Sequence, residues 1–343
     1  MLDDLKMIHE RDAQDALGIA EKQWQQLERR FAYAPLFTTD HIYNVVYAGM
    51  GGSALAALLA QTWPTIQEPF EVARGYDIPS YVNGDTLFIA ASYSGNTEET
   101  LEALAQAKVK GAQIAVIAGG GKLVDIARAK NYPLTILPKV EQPRFAALYN
   151  LKALVDLFEQ AHLLHADQAE LGQAADFLKN TVCDWLPTVP TKRNLAKRIA
   201  LECIGKSVVI YAGPKLFPAA YKWKIGFNEN AKQIAWVGQF PEFNHNEFLG
   251  WSKQPVSKPY AVIDVRSSFE HERVQKRFAV TERLLSGLRP APIVVDAVGE
   301  SLLAQLLWTS VLGDFVTIYT ALLNGLNPSP AELVEKFKKV MEE

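Results

Sequence analysis

NVVYAGMGGS, residues 44–53, and TLFIAASYSGNTEET, residues 86–100, share one construction. Each opens as a short apolar run, stops at glycines or hydroxyl residues, and passes into a segment with helical spacing. Apolar runs without polar alternation suit strands covered on both faces, so the pair implies parallel strands joined by crossover helices. Working outward, Phe70–Ala73, Ile114–Ala118 and Leu134–Leu137 read as further strands, with helices over Ser53–Thr62, Glu98–Lys110 and Leu123–Lys130. A helix-rich stretch from Phe145 to Leu186 ends at Pro187 and Pro190, and then the rhythm restarts. Val208–Ala212, Tyr260–Val265 and Ile293–Val295 read as strands, Ala231–Val237 as a strand or extended segment. Pro218–Gly226, Phe269–Leu285, Ser301–Leu326 and Ala331–Met341 read as helices. The predicted fold class is α/β: two doubly wound, flavodoxin-like parallel-sheet domains, each binding ligands at the carboxyl ends of its strands. A leading helix spans 1–30, the first domain 31–165, a helical connection 166–190 and the second domain 191–343.

Length agrees with two domains, since 343 residues exceed the roughly 100–200 expected of one. Lys and Arg number 35 against 38 Asp and Glu, a net charge of -3, which argues against nucleic acid as a partner. Cys183 and Cys203 have no CxxC spacing, and no His, Cys and carboxylate cluster has ligand spacing; neither a metal nor a cofactor is expected, and the setting is reducing and cytoplasmic. The N-terminus has acids where a signal peptide needs basic residues. Ser301–Leu326 is long enough to span a bilayer, but Asp314 at its centre makes it a buried core or interface helix instead, so no membrane is expected.

The first loop, Gly49-Met50-Gly51-Gly52-Ser53, lacks both the GxGxxG and the Gly-Lys-Ser/Thr spacing. It is either a plain strand-to-helix turn or an anion site, because glycines admit close approach and a helix start offers free amides. The second loop crowds Ser92, Ser94 and Thr97 at a helix mouth. One hydroxyl suffices for a cap, so three suit a phosphate monoester held by neutral donors. Taken together, Gly51, Gly52, Ser53, Ser92, Ser94 and Thr97 are candidate phosphate-binding residues.

These two loops resemble the SIS, or sugar isomerase, domain. The resemblance extends to Gln142-Pro143-Arg144, to Asn228-Glu229-Asn230-Ala231-Lys232, to the run Pro241–Glu247 and to Asn324–Pro328, which follow the order of the bifunctional phosphoglucose/phosphomannose isomerases. It implies a metal-free isomerase that interconverts glucose 6-phosphate, and mannose 6-phosphate, with fructose 6-phosphate through a cis-enediol. By that resemblance Glu229 is the proton-transfer base and His245 opens the ring. Arg144 stabilises enediolate charge, and Lys338, near Lys336 and Lys339, is the C-terminal lysine. The resemblance also implies a homodimer in which the histidine is shared between subunits. Ser329-Pro330 stands where mannose-accepting members carry Thr-Pro, keeping the hydroxyl that bears on C2-epimer tolerance. Competing readings are an aminosugar-phosphate isomerase or deaminase, and a non-catalytic phosphosugar sensor.

Overall fold

The computed structural model describes residues 1–36, 41–64, 66–164, 168–253 and 259–341. Where the sequence predicts one leading helix, the chain forms three short ones: α1 (Leu5–Arg11), α2 (Ala16–Glu21) and α3 (Gln25–Glu28). Acidic side chains divide them. Asp12 ends α1, and its carboxylate accepts the amides of Ala16 and Leu17 at 2.8 and 2.9 Å. Asp15 takes a left-handed backbone, φ 52°, and accepts the amide of Gly18. Such local carboxylate-to-backbone bonds compete with continuation of a helix, which the apolar spacing alone does not reveal.

The chain divides into two units, Gln23–Asp176 on one hand and Met1–Lys22 with Phe177–Glu343 on the other. The Gln23–Asp176 unit is built on β1 (Asn44–Ala48), β2 (Phe70–Ala73), β3 (Thr86–Ser92), β4 (Gln113–Ala118) and β5 (Leu134–Ile136). All pairs are parallel, in spatial order β2-β1-β3-β4-β5, which is the flavodoxin-like winding. Its helices are α4 (Gly51–Ala60), α5 (Glu98–Val109), α6 (Gly121–Lys130), α7 (Ala147–Gln160) and the start of α8 (Gln168–Thr181). Val46, Phe88 and Val116 pack against Leu104 of α5 and Leu123 of α6. The opposite side carries α4 and α7; α7 is buried as far as Phe158 and encloses an ion pair between Lys152 and Asp156.

The other unit repeats the plan with β6 (Ser207–Ala212), β7 (Ala235–Gln239), β8 (Tyr260–Arg266) and β9 (Ile293–Asp296), parallel in the order β7-β6-β8-β9. Its helices are α9 (Leu195–Cys203), α10 (Phe217–Glu229), α11 (Glu247–Trp251), α12 (Glu272–Leu284), α13 (Leu302–Leu323) and α14 (Glu332–Met341). Among the described residues α13 alone is long and apolar enough to cross a membrane, yet it is buried from Leu303 to Leu323 inside this unit, against α9 and α10. The acid at its centre is answered there: Asp314 pairs with Lys222 of α10, which also donates to the Ser310 carbonyl at 3.3 Å. The next residue, Trp223, donates its indole N–H to the Thr309 carbonyl at 2.7 Å, over Gly313, where a Cβ would lie 2.2 Å from the ring.

A buried pair of this kind is costly to break and cheap to replace. Asp314→Ala, which strands the Lys222 ammonium, should cost about 3–5 kcal/mol in denaturant unfolding. The double variant Lys222→Met/Asp314→Leu should recover most of that loss. Equal destabilisation by the single and double variants would show that volume, not charge, sets the seam.

Candidate active site

β1 and β3 are adjacent and parallel, with Ala48 opposite Ala90, so the loops that leave them emerge side by side. Here the winding reverses direction, which is where doubly wound sheets open a crevice. The two candidate loops meet in it: the Tyr93 amide donates to Ser53 Oγ at 3.1 Å. Ser92 Oγ lies 2.7 Å from Thr97 Oγ1 and accepts the Gly95 amide at 3.1 Å, while Ser94 Oγ accepts the Asn96 amide at 3.3 Å.

Thr97 occupies the N-cap position of α5 but makes no capping bond; its hydroxyl turns to Ser92. Likewise α4 starts behind Met50 with no side-chain cap. Two helix starts therefore point uncapped amides and the positive ends of their dipoles at one crevice, with Ser94 exposed beside them. Capping alone does not explain these hydroxyls.

Glycine brings further backbone into the crevice. A Cβ on Gly52 would lie 3.2 Å from Arg144 Cα, so the bare glycine lets the turn Pro143–Ala146 rest on the first loop. Arg144 is 5% exposed; it donates to Gln142 Oε1 at 3.4 Å and lies over the Phe145 ring at 5.0 Å. A buried cation just before α7 opposes the helix dipole. Tyr93 ties the second loop to the segment before that turn, donating to Pro138 O at 3.1 Å and accepting the Val140 amide; burial pushes its phenol up.

Sequence reasoning missed the third loop, Gly119-Gly120-Gly121, after β4. The Gly119 amide donates to Tyr93 O at 2.9 Å, Leu123 to Gly95 O at 3.0 Å, and Lys122 to Asn96 Oδ1 at 3.0 Å. A Cβ on Gly95, whose φ is 70°, would come 1.7 Å from the Gly120 carbonyl oxygen. Three consecutive glycines between a strand and a helix were the available signal.

In the other unit Glu229 is the last residue of α10, half-buried, at the helix end that electrostatically disfavours a carboxylate. Its neighbours fix the backbone: Asn228 Nδ2 donates to Gln233 O and Asn230 Nδ2 to Thr317 Oγ1, both at 2.9 Å. Lys232, with φ 51°, donates to the carbonyls of Asn327 at 3.1 Å and Pro328 at 3.2 Å. The Ser329 amide donates to Asn327 Oδ1 at 3.0 Å, and Ser329 is buried. Thus 228–232 and 324–329, far apart in the chain, form one structure. His245 is exposed at the end of the turn Glu242–His245. The preceding Asn244 donates to Thr281 Oγ1 at 2.9 Å and accepts from Arg277 at 3.0 Å. Lys338 lies on α14, whose described side chains are all exposed, and its ammonium bonds Glu335 at 2.9 Å.

Residues 41–161 match the profile of the SIS domain, and 192–341 match that of the bacterial phospho-glucose isomerase C-terminal SIS domain. The bifunctional phosphoglucose/phosphomannose isomerase of Caldicellulosiruptor bescii is 33% identical over 308 residues, covering 89% of this chain and 91% of that one. The chain belongs to the bifunctional phosphoglucose/phosphomannose isomerase family. A D-glucosamine-6-phosphate 4-epimerase from Sulfolobus acidocaldarius is also similar, 34% identical over 228 residues, 64% of this chain and 70% of its own. At the level of fold, a glucose-6-phosphate isomerase-like protein from Thermus thermophilus superposes with a TM-score of 0.66 at 18% identity, over 99% of both chains.

The glycine contacts make a paired prediction. Gly95→Ala should lower stability by more than about 1 kcal/mol, because it meets backbone and a positive φ together. Gly120→Ala, whose Cβ would meet nothing within 4 Å, should leave the unfolding midpoint near wild type. Similar midpoints for both would mean that the loops do not touch as described.

Proposed function

We propose that this chain is an aldose–ketose isomerase that interconverts glucose 6-phosphate and mannose 6-phosphate with fructose 6-phosphate through a cis-enediol. Family membership supports the reaction, and one observation supports the phosphosugar: Thr97 stands at a helix start it does not cap. In this reading the phosphate takes the amides of Gly51 and Gly52 and the hydroxyls of Ser53, Ser94 and Thr97. Ser53 Oγ already accepts the Tyr93 amide, so its own proton is left to donate to a phosphate oxygen. Ser92 is 1% exposed and serves as the brace; giving its proton to Thr97 would free that of Thr97 for the ligand.

The chemistry needs a base at C2, a group that opens the ring and positive charge for the enediolate. Glu229 carries the proton between C2 and C1, His245 moves the ring-opening proton between O5 and O1, and Arg144 balances the oxyanion. Lys338 takes the place of the family's C-terminal lysine. C2 is planar in the enediol, so both epimers reach one intermediate if the pocket lets C2–C3 rotate; the Ser329 hydroxyl is read as permitting this. The same resemblance supports a cytoplasmic homodimer acting at the hexose 6-phosphate level of glycolysis, with His245 serving the neighbouring subunit, and no metal in the cycle. The epimerase relative favours one second reading, an aminosugar-phosphate epimerase.

The deciding assay follows fructose 6-phosphate from glucose 6-phosphate and from mannose 6-phosphate separately, in EDTA. Turnover of both is expected; turnover of glucosamine 6-phosphate alone would install the epimerase reading. Glu229→Gln should lower kcat by about 10²-fold to 10⁴-fold, the usual worth of a general base, with little change in fructose 6-phosphate binding. Retained activity would remove Glu229 from the mechanism. Ser94→Ala and Thr97→Ala should act mainly on KM, because a phosphate anchor serves ground and transition states alike.

A further inference from the structure

The repeat of the fold gives the second unit a crevice of its own, between β6 and β8, and strand register aligns it with the first. Ala48 lies opposite Ala90 and Ala212 opposite Val265. Counting outward from those pairs, Gly49 corresponds to Gly213, Gly51 to Lys215 and Gly52 to Leu216. On the other loop Ser92 corresponds to Ser267, Ser94 to Phe269, Gly95 to Glu270 and Thr97 to Glu272. Ser53 corresponds to Phe217, so three of the four hydroxyls of the first crevice, those at 53, 94 and 97, are missing from the second. The amides remain, and they are already taken. Glu270 Oε1 accepts the Lys215 amide at 2.7 Å, and its carboxylate also accepts the amide of Leu216. The carboxylate is 6% exposed, and a Cβ on Gly213 would come within 2.4 Å of it. Meanwhile α10 starts without a side-chain cap from its own end. Burial raises the Glu270 carboxyl, while the two amides and the Lys215 cation pull against burial.

We propose that Glu270 is a tethered anion that fills the second unit's counterpart of the phosphate cradle, so that the chain offers one phosphate site instead of two. Only one of the two crevices is then open to a phosphosugar. Where the first loop has Gly95, lying against the Gly120 carbonyl, the second has a carboxylate on a two-carbon stem, and Gly213 supplies the room for it. The inference rests on the phosphate reading of the first crevice, and its test separates the two.

Inorganic phosphate is the probe, counted per chain by equilibrium dialysis at fixed ionic strength. Wild type should bind one, and Ser94→Ala/Thr97→Ala none; phosphate kept by that double variant would sink the first-crevice reading alone. Glu270→Ala should bind two, the added site surviving in Glu270→Ala/Ser94→Ala/Thr97→Ala and weakening at least threefold when Lys215→Met removes the nearby cation. A folded Glu270→Ala that binds no more phosphate than wild type would overturn the proposal and leave Glu270 as a helix cap supplied from another loop. Should Glu270→Ala not fold, refolding in phosphate should rescue it where chloride at equal ionic strength does not. Failure of that rescue would equally overturn it.

Discussion

Two helices start side by side because β1 and β3 are neighbours in a sheet whose winding reverses between them. That constraint comes first, and the chemistry of the first unit follows from it. Each strand delivers a loop and a helix start to the same edge, and the amides of both starts face one crevice. Ser53 and Tyr93, forty positions apart in the chain, bond across it. Glycine then decides how close the walls come, through Gly52 against Arg144 and Gly95 against Gly120.

In the second unit the corresponding constraint is the seam between α10 and α13. Gly226 and Gly313 are the hollows, against Thr317 and Trp223, and the Lys222–Asp314 pair fixes their register. With that register set, α10 ends at Glu229, and Asn230 reaches Thr317 on α13. A carboxylate at the negative end of a helix gains nothing from the helix. Its place comes from the seam instead.

The parallel sheets were legible because apolar runs such as Thr86–Ser92 have no polar alternation and all seven of their residues are buried. The loops were legible because hydroxyls at 92, 94 and 97 exceed what one helix start needs. Other features were not. Asp12 and Asp15 break the leading helix through side-chain bonds that helical periodicity does not register. The role of Gly119–Gly121 depends on contact with a loop more than twenty residues earlier. Glu270 reads in the sequence as one more charged residue near a helix, and only a count outward from the strand register aligns it with Gly95. Lys338 was read by resemblance, and on exposed α14 its ammonium pairs with Glu335.

The unit boundaries bear on the order in which the ribosome delivers the parts. Met1–Lys22 belongs with Phe177–Glu343, and Arg11 donates to the carbonyl of Leu322, 311 residues later. At about 5–20 residues per second, translation separates those partners by roughly 15–60 s. Gln23–Asp176 is complete well before then, so its fold can close while the leading segment, with Leu2, Ile8 and Leu17 still lacking a core, waits on the nascent chain. Residues 1–22, made before Gln23–Asp176, are thus among the last to be buried.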